Sequence, residues 1–130
     1  EAWDPAPRKL KTPYEFLVST WRAAAAEPAN PRVDVVQPLT ALAQRPFYAP
    51  QPNGWSDVAA TWDGPDAVLK RLYWAQAFAA AHAPAEDPRE LARQVLGDRL
   101  TAPAALAISR AESRPEAFAL LVMTPEFQRR

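Results

Sequence analysis

Apolar side chains recur three and four residues apart through most of this chain, and the strict alternation that marks a half-buried strand is almost absent. Tyr14, Leu17, Val18 and Trp21 fall at i, i+3, i+4 and i+7, one stripe of a helix that opens at Thr12-Pro13-Tyr14-Glu15. That opening sets an N-cap hydroxyl before a proline at the first helical position and a glutamate at the third, so two backbone donors at the helix start are satisfied reciprocally. The pattern runs through Ala23 to Ala26 and stops before Pro28 and Pro31. A second helix is expected over 33–43, where Pro38 implies either a kink or a later start that puts the proline in the first turn.

Thr61-Trp62-Asp63-Gly64-Pro65-Asp66 reads as a turn leading into a central helix that ends near His82, before Pro84. Val68, Leu69, Leu72, Tyr73, Trp74 and Phe78 cover much of its circumference, leaving Lys70, Arg71 and Gln76 as its polar marks, with Asp66 placed to pair with Lys70. Asp87-Pro88-Arg89-Glu90 and Ser113-Arg114-Pro115-Glu116 open two further helices that should bury Leu91, Val95 and Leu96, and Phe118, Leu121 and Val122. Leu100, Ala104 and Ile108 share a face of a short helix after Thr101, and Thr124-Pro125 begins a last turn carrying Phe127. The expected fold is all-α: one domain over 1–130, an irregular bundle of about six short helices.

Between the second and central helices, residues 42–55 hold three prolines, three aromatics, two glutamines and an Asn-Gly pair. Proline lowers the entropy lost on ordering, and Phe47, Tyr48 and Trp55 supply area to bury, so the segment is expected to be an ordered loop seated on the helical core. Truncating Trp55 to alanine should then cost about 3 kcal/mol, as for other buried aromatics. Gln44 is expected to serve backbone amides that the prolines leave without partners.

Composition narrows the functions open to such a fold. Fifteen basic and fifteen acidic residues cancel, which gives no electrostatic footprint for nucleic acid or anionic lipid. No window approaches the roughly 18 apolar residues needed to span a bilayer. The absence of cysteine removes disulfides, thiolate metal sites and cysteine nucleophiles together. Three glycines against fifteen prolines suit short helices with firm starts, not phosphate-cradling loops, and no nucleotide-binding or nucleophile-elbow motif is present. The chain opens on Glu1 with no charged-then-apolar leader after it, which leads to the expectation that it is either processed or a piece cut from a longer protein.

Candidate chemistry is sparse. His82 is the only histidine, placed at a helix end where an imidazolium gains from the dipole; with no second ligand or fixed nucleophile, neither a zinc site nor a serine–histidine relay has enough parts. Asp57, Asp63 and Asp66 surround Trp62, and a carboxylate pair there is the raw material of a glycosidase or hard-cation site, although turn and N-cap chemistry accounts for aspartate at such positions. Of five tryptophans, Trp21 and Trp74 sit at core spacing, whereas Trp55 and Trp62 lie in loop context. These two either plug the loop against the central helix or, with Tyr48, form a stacking platform for a sugar or peptide. The candidate binding residues are therefore Gln44, Tyr48, Asn53, Trp55 and Trp62, with no metal or cofactor implied.

Three segments carry a resemblance. Lys9-Leu10-Lys11-Thr12-Pro13-Tyr14-Glu15-Phe16-Leu17-Val18-Ser19-Thr20, the stretch from Gln44 to Gly54-Trp55, and Met123-Thr124-Pro125-Glu126-Phe127-Gln128 together resemble, in order, motifs near the carboxyl end of the bacterial domain-of-unknown-function family 1800. Ala43 stands where that family tends to have glycine. The resemblance implies a larger, helical, exported protein, periplasmic or secreted, often encoded beside a sulfatase-like partner, and it brings no catalytic residues. The expected role is a structural and interaction module that packs against the missing amino-terminal part of the parent. A carbohydrate- or peptide-binding module, and part of an enzyme completed upstream by way of Asp57, Asp63 or His82, stand as alternatives.

Overall fold

The computed structural model describes residues 9–24, 36–50, 52–56 and 58–130. Trp3, Asp57 and the stretch expected to end the first helix and start the second lie outside them. The described residues form eight α-helices and no strand: α1 (Pro13–Ala23), α2 (Val36–Ala41), α3 (Ala59–Trp62), α4 (Pro65–His82), α5 (Pro88–Leu96), α6 (Ala102–Ser109), α7 (Arg114–Met123) and α8 (Pro125–Gln128). A 3₁₀ turn, Gly97–Arg99, follows α5.

Six of these helices begin as local chemistry dictates. Thr12 and Glu15 close a full capping box on α1, and Asp87, Thr101, Ser113 and Thr124 each accept a backbone N–H from the first turn of the helix they open. Proline stands in the first turn of each of these five, and of α4. α2 is described from Val36 with Pro38 inside it, and the expected choice between a kink and a later start falls outside the described residues. Of the segment read as a turn, Thr61 and Trp62 instead end α3, while Asp63 and Gly64 lead into α4. The N-cap of α3, Val58, offers no side-chain bond, and Ser56 does the work: its hydroxyl accepts from Val58 N at 3.2 Å and Thr61 Oγ1 at 3.1 Å.

The core lies where α4 and α7 pack along each other, with α5, α6 and α1 around them. Ala75, Ala79, Ala117 and Ala119 are buried there, small enough to let helix backbones approach, while Phe16, Phe78 and Phe118 fill the volume between. Phe16 meets Trp74 edge-on at 5.4 Å and Phe127 at 6.3 Å, and Phe78 stacks on Phe118 at 6.0 Å.

Two helices turn a different face inward than their apolar residues suggest. In α1 the buried set is Pro13, Phe16, Leu17, Thr20 and Ala23, while Tyr14 is exposed and Trp21 half-buried against the core. Thr20 tolerates full burial because its hydroxyl donates to Phe16 O at 2.8 Å. In α4 the buried set is Arg71, Ala75, Phe78 and Ala79, with Trp74 half-buried; Val68, Leu69 and Tyr73 face solvent. The polar mark Arg71 is thus a core residue, 3% exposed.

The mid-chain loop divides by residue. Trp62 is 3% exposed, with its indole N–H donating to Ser56 O at 2.8 Å, and half-buried Trp55 lies against it with ring centroids 6.0 Å apart. Phe47 and Tyr48, expected to be buried, are exposed. Arg45-Pro46-Phe47-Tyr48 closes a turn by a Tyr48 N–H to Arg45 O bond of 3.3 Å, with Pro46 second and Phe47 third at φ +64°. Such a turn requires a positive φ at its third residue, where glycine or asparagine is the usual choice.

Candidate functional site

The three segments that carry the resemblance, far apart in sequence, meet at the start of α1. Lys9 and Arg130 exchange backbone bonds in both directions (3.3 and 2.8 Å), and Lys11 N donates to Gln128 O at 2.7 Å, which makes a bridge between Leu10 and Arg129. Glu15 Oε2 accepts from Thr12 N at 2.9 Å inside the capping box, while its Oε1 pairs with Arg130 Nε at 2.8 Å. The middle segment joins through Gln44, whose Oε1 accepts the Tyr14 N–H at 2.8 Å. Gln44 was expected to serve its own loop; it caps α1 from outside instead, taking a first-turn donor that the helix cannot satisfy.

Beneath this junction sits Arg71. Its Nη1 donates to Gln128 Oε1 and its Nη2 to Lys11 O, both at 2.6 Å, and its guanidinium lies 5.2 Å from the Phe16 ring. Gln128 completes the node by donating from Nε2 to Val122 O at 2.6 Å. Burial draws the Arg71 pKa down to about 10, Glu15 pulling the other way, so the group keeps its charge at neutral pH. A buried cation held by amide and carbonyl oxygens, with no carboxylate in direct contact among the described residues, is a fastener between α4, α8 and the segment before α1.

Beside the node, Lys11, Ser19, Arg22 and Arg99 rim a cleft of about 290 Å³ floored by apolar side chains, among them Leu96 and Phe127. Lys11 Nζ stands 4.1 Å from the centre of the Phe127 ring. Its pKa is lowered to about 8, first by burial and then by the Arg99 guanidinium, with Arg71 adding to the effect and Glu15 opposing it. Arg99 donates from Nη2 to the carbonyls of Glu126 and Arg129 at the end of α8. Neither this cleft nor the Arg71 node was singled out from sequence. The spacing 71, 75, 78, 79 was a signal for Arg71, whereas nothing local could bring Arg22 to Arg99.

Of the residues proposed from sequence, Trp55 and Trp62 come together, while Gln44 and Tyr48 make their described contacts elsewhere. Tyr48 is exposed and held by Arg45, whose guanidinium carbon is 3.8 Å from the ring centre; Asn53 is exposed; Trp55 is half-buried; Trp62 is buried; and Gln44 is committed to α1. With Trp62 enclosed, the three rings do not form the open platform imagined for them. His82 is exposed at the end of α4 with its ring 4.9 Å from Phe78, Asp63 is exposed at the end of α3, and Asp66 pairs with Lys70 at 2.8 Å. Among the described residues no cluster of three metal-ligating side chains occurs, and no helix is long and apolar enough to cross a membrane.

A family model described as "Protein of unknown function (DUF1800)" matches residues 1–129. No curated protein and no solved structure matches the chain.

Proposed function

Because the chain belongs to the DUF1800 family, we propose that it serves as a structural and interaction module of a larger exported bacterial protein, docking through its aromatic loop onto the amino-terminal part of its parent. One observation carries this reading: Phe47 is 103% exposed on a backbone held at φ +64°. A bulky residue in the left-handed region costs about 1 kcal/mol that glycine or asparagine would avoid, and here no burial offsets it. An aromatic ring held in water at such a site contributes nothing to this fold and fits an anchor for another surface. The outward face of α4, with Val68, Leu69 and Tyr73, offers a second apolar stretch of the same kind. Export and a sulfatase-like partner protein belong to the same proposal and rest on the family resemblance alone.

Amide hydrogen exchange, compared between this chain alone and the full-length parent, tests the reading. Residues 44–50 should exchange more slowly in the parent, and Phe47→Gly in the parent should return them to the faster rate while leaving the isolated chain folded and no less stable. Equal exchange in both contexts would sink the proposal. Sugar or peptide binding by Tyr48 and Trp55, or a site completed upstream through Asp63 or His82, has no observation of comparable weight behind it.

A further inference from the structure

We infer that the cleft rimmed by Lys11, Arg22 and Arg99 is a binding site for a small carboxylate with an apolar body. Three cations come to this rim from separate places: Lys11 ahead of α1, Arg22 in its last turn and Arg99 in the 3₁₀ turn after α5. No carboxylate lines the cleft among the described residues. Glu15, the acid that acts on Lys11, already holds Arg130 and the Thr12 amide, and Glu126 lines the neighbouring grooves instead, with its Oε2 buried. Like charges crowded against an apolar floor repel, and this arrangement disfavours the empty site. An anion that enters relieves the repulsion, and Ser19 adds a hydroxyl donor on the rim.

The floor sets the rest of the ligand. Leu96 and Phe127 are buried core residues whose surfaces end the cleft, so a ring or short alkyl chain laid there loses water-exposed area while its carboxylate stays level with the cations. A fully hydrated inorganic anion gains only the charge half of this arrangement. The volume of about 290 Å³ is at the small end for a ligand pocket and suits a single ring or one side chain with its terminal carboxylate. Two sources share that chemistry: a free small acid, and the carboxyl end of a polypeptide with an apolar last residue.

Titration of the full chain with benzoate, followed by amide NMR, tests the inference. Shifts at Ser19, Leu96 and Phe127 should saturate with a Kd of roughly millimolar order, the affinity open to a probe of about nine heavy atoms. Lys11→Met keeps the stem over Phe127 and removes the charge, and it should weaken benzoate at least about tenfold. Raising the pH from about 7 to about 9 should weaken binding to the native chain, since Lys11 with its pKa near 8 loses its proton while Arg71, with its pKa near 10, keeps its own; the Lys11→Met variant should not respond. Neutral benzamide should not bind. A peptide ending in a free phenylalanine carboxylate, set against its amide, tells the two sources apart: tighter binding than benzoate assigns the chain end, weaker binding the free acid. Absence of saturable shifts, equal binding of benzamide, or undiminished binding by Lys11→Met would overturn the site, and phosphate binding as tightly as benzoate would overturn the apolar half of it.

Discussion

Ala43 shows how much a single backbone angle can explain. At the end of α2 the N–H of Gln44 reaches Leu39 O at 2.8 Å and that of Ala43 reaches Thr40 O at 3.1 Å, the pair of bonds that closes a Schellman motif. The motif requires a left-handed residue between them, and Ala43 supplies it at φ +65°. This is the position at which the resemblance calls for glycine, and the Cβ of alanine makes the same angle costly. Ala43→Gly should therefore raise stability by about 1 kcal/mol, read as a higher urea midpoint with an unchanged m-value. A loss of stability would mean that Ala43 is held by contacts and not by the turn. The motif also aims Gln44, whose backbone ends α2 while its side chain caps α1, so one residue couples two helix ends.

Among the elements, the caps were legible, and so was the facing of α5 and α7, which bury the expected Leu91, Leu96, Phe118, Leu121 and Val122; the facing of α1 and α4 was not. A cap is decided by a few adjacent residues, so Thr12-Pro13-Tyr14-Glu15, Asp87-Pro88 and Thr124-Pro125 open helices in the structure as they do on paper. Which face a helix buries is decided by what comes to lie against it. In α4 the wall is α7, and the close approach of Ala75 and Ala79 outweighs the larger apolar area of Val68, Leu69 and Tyr73 on the other side. The element α3 went unread because its start rests on Ser56, outside the helix, and not on an N-cap side chain. Its burial of Trp62 also moves the expected energetic weight of the loop. Trp62→Ala should cost about 3 kcal/mol, whereas Trp55→Ala, which removes a half-buried ring, should cost about half as much by chemical denaturation. The reverse order would return the loop's anchor to Trp55.

At the scale of the whole molecule, the two ends of the described chain are tied together through one buried cation. Arg71 holds Gln128 Oε1 and Lys11 O at once, so it links the central helix to the last helix and to the segment before the first. Arg71→Met preserves the aliphatic stem but leaves both acceptors without their donor, and it should lower unfolding stability by about 3 kcal/mol. Gln128→Leu should cost less in the Arg71→Met background than alone, because the amide oxygen it removes is already stranded there; strictly additive losses would show that the node is not a unit. The same closure brings Lys11 and Phe127 to one cleft and sets Arg99 beside them. The all-α class, most helix starts and the family are decided by neighbours a few residues apart, where backbone angles, caps and spacing act, and so they can be read from the chain alone. The inward arginine, the outward phenylalanine and the convergence of three cations depend on which helices pack and which side chains then lose water, and residues dozens of positions apart settle that only when the chain has folded.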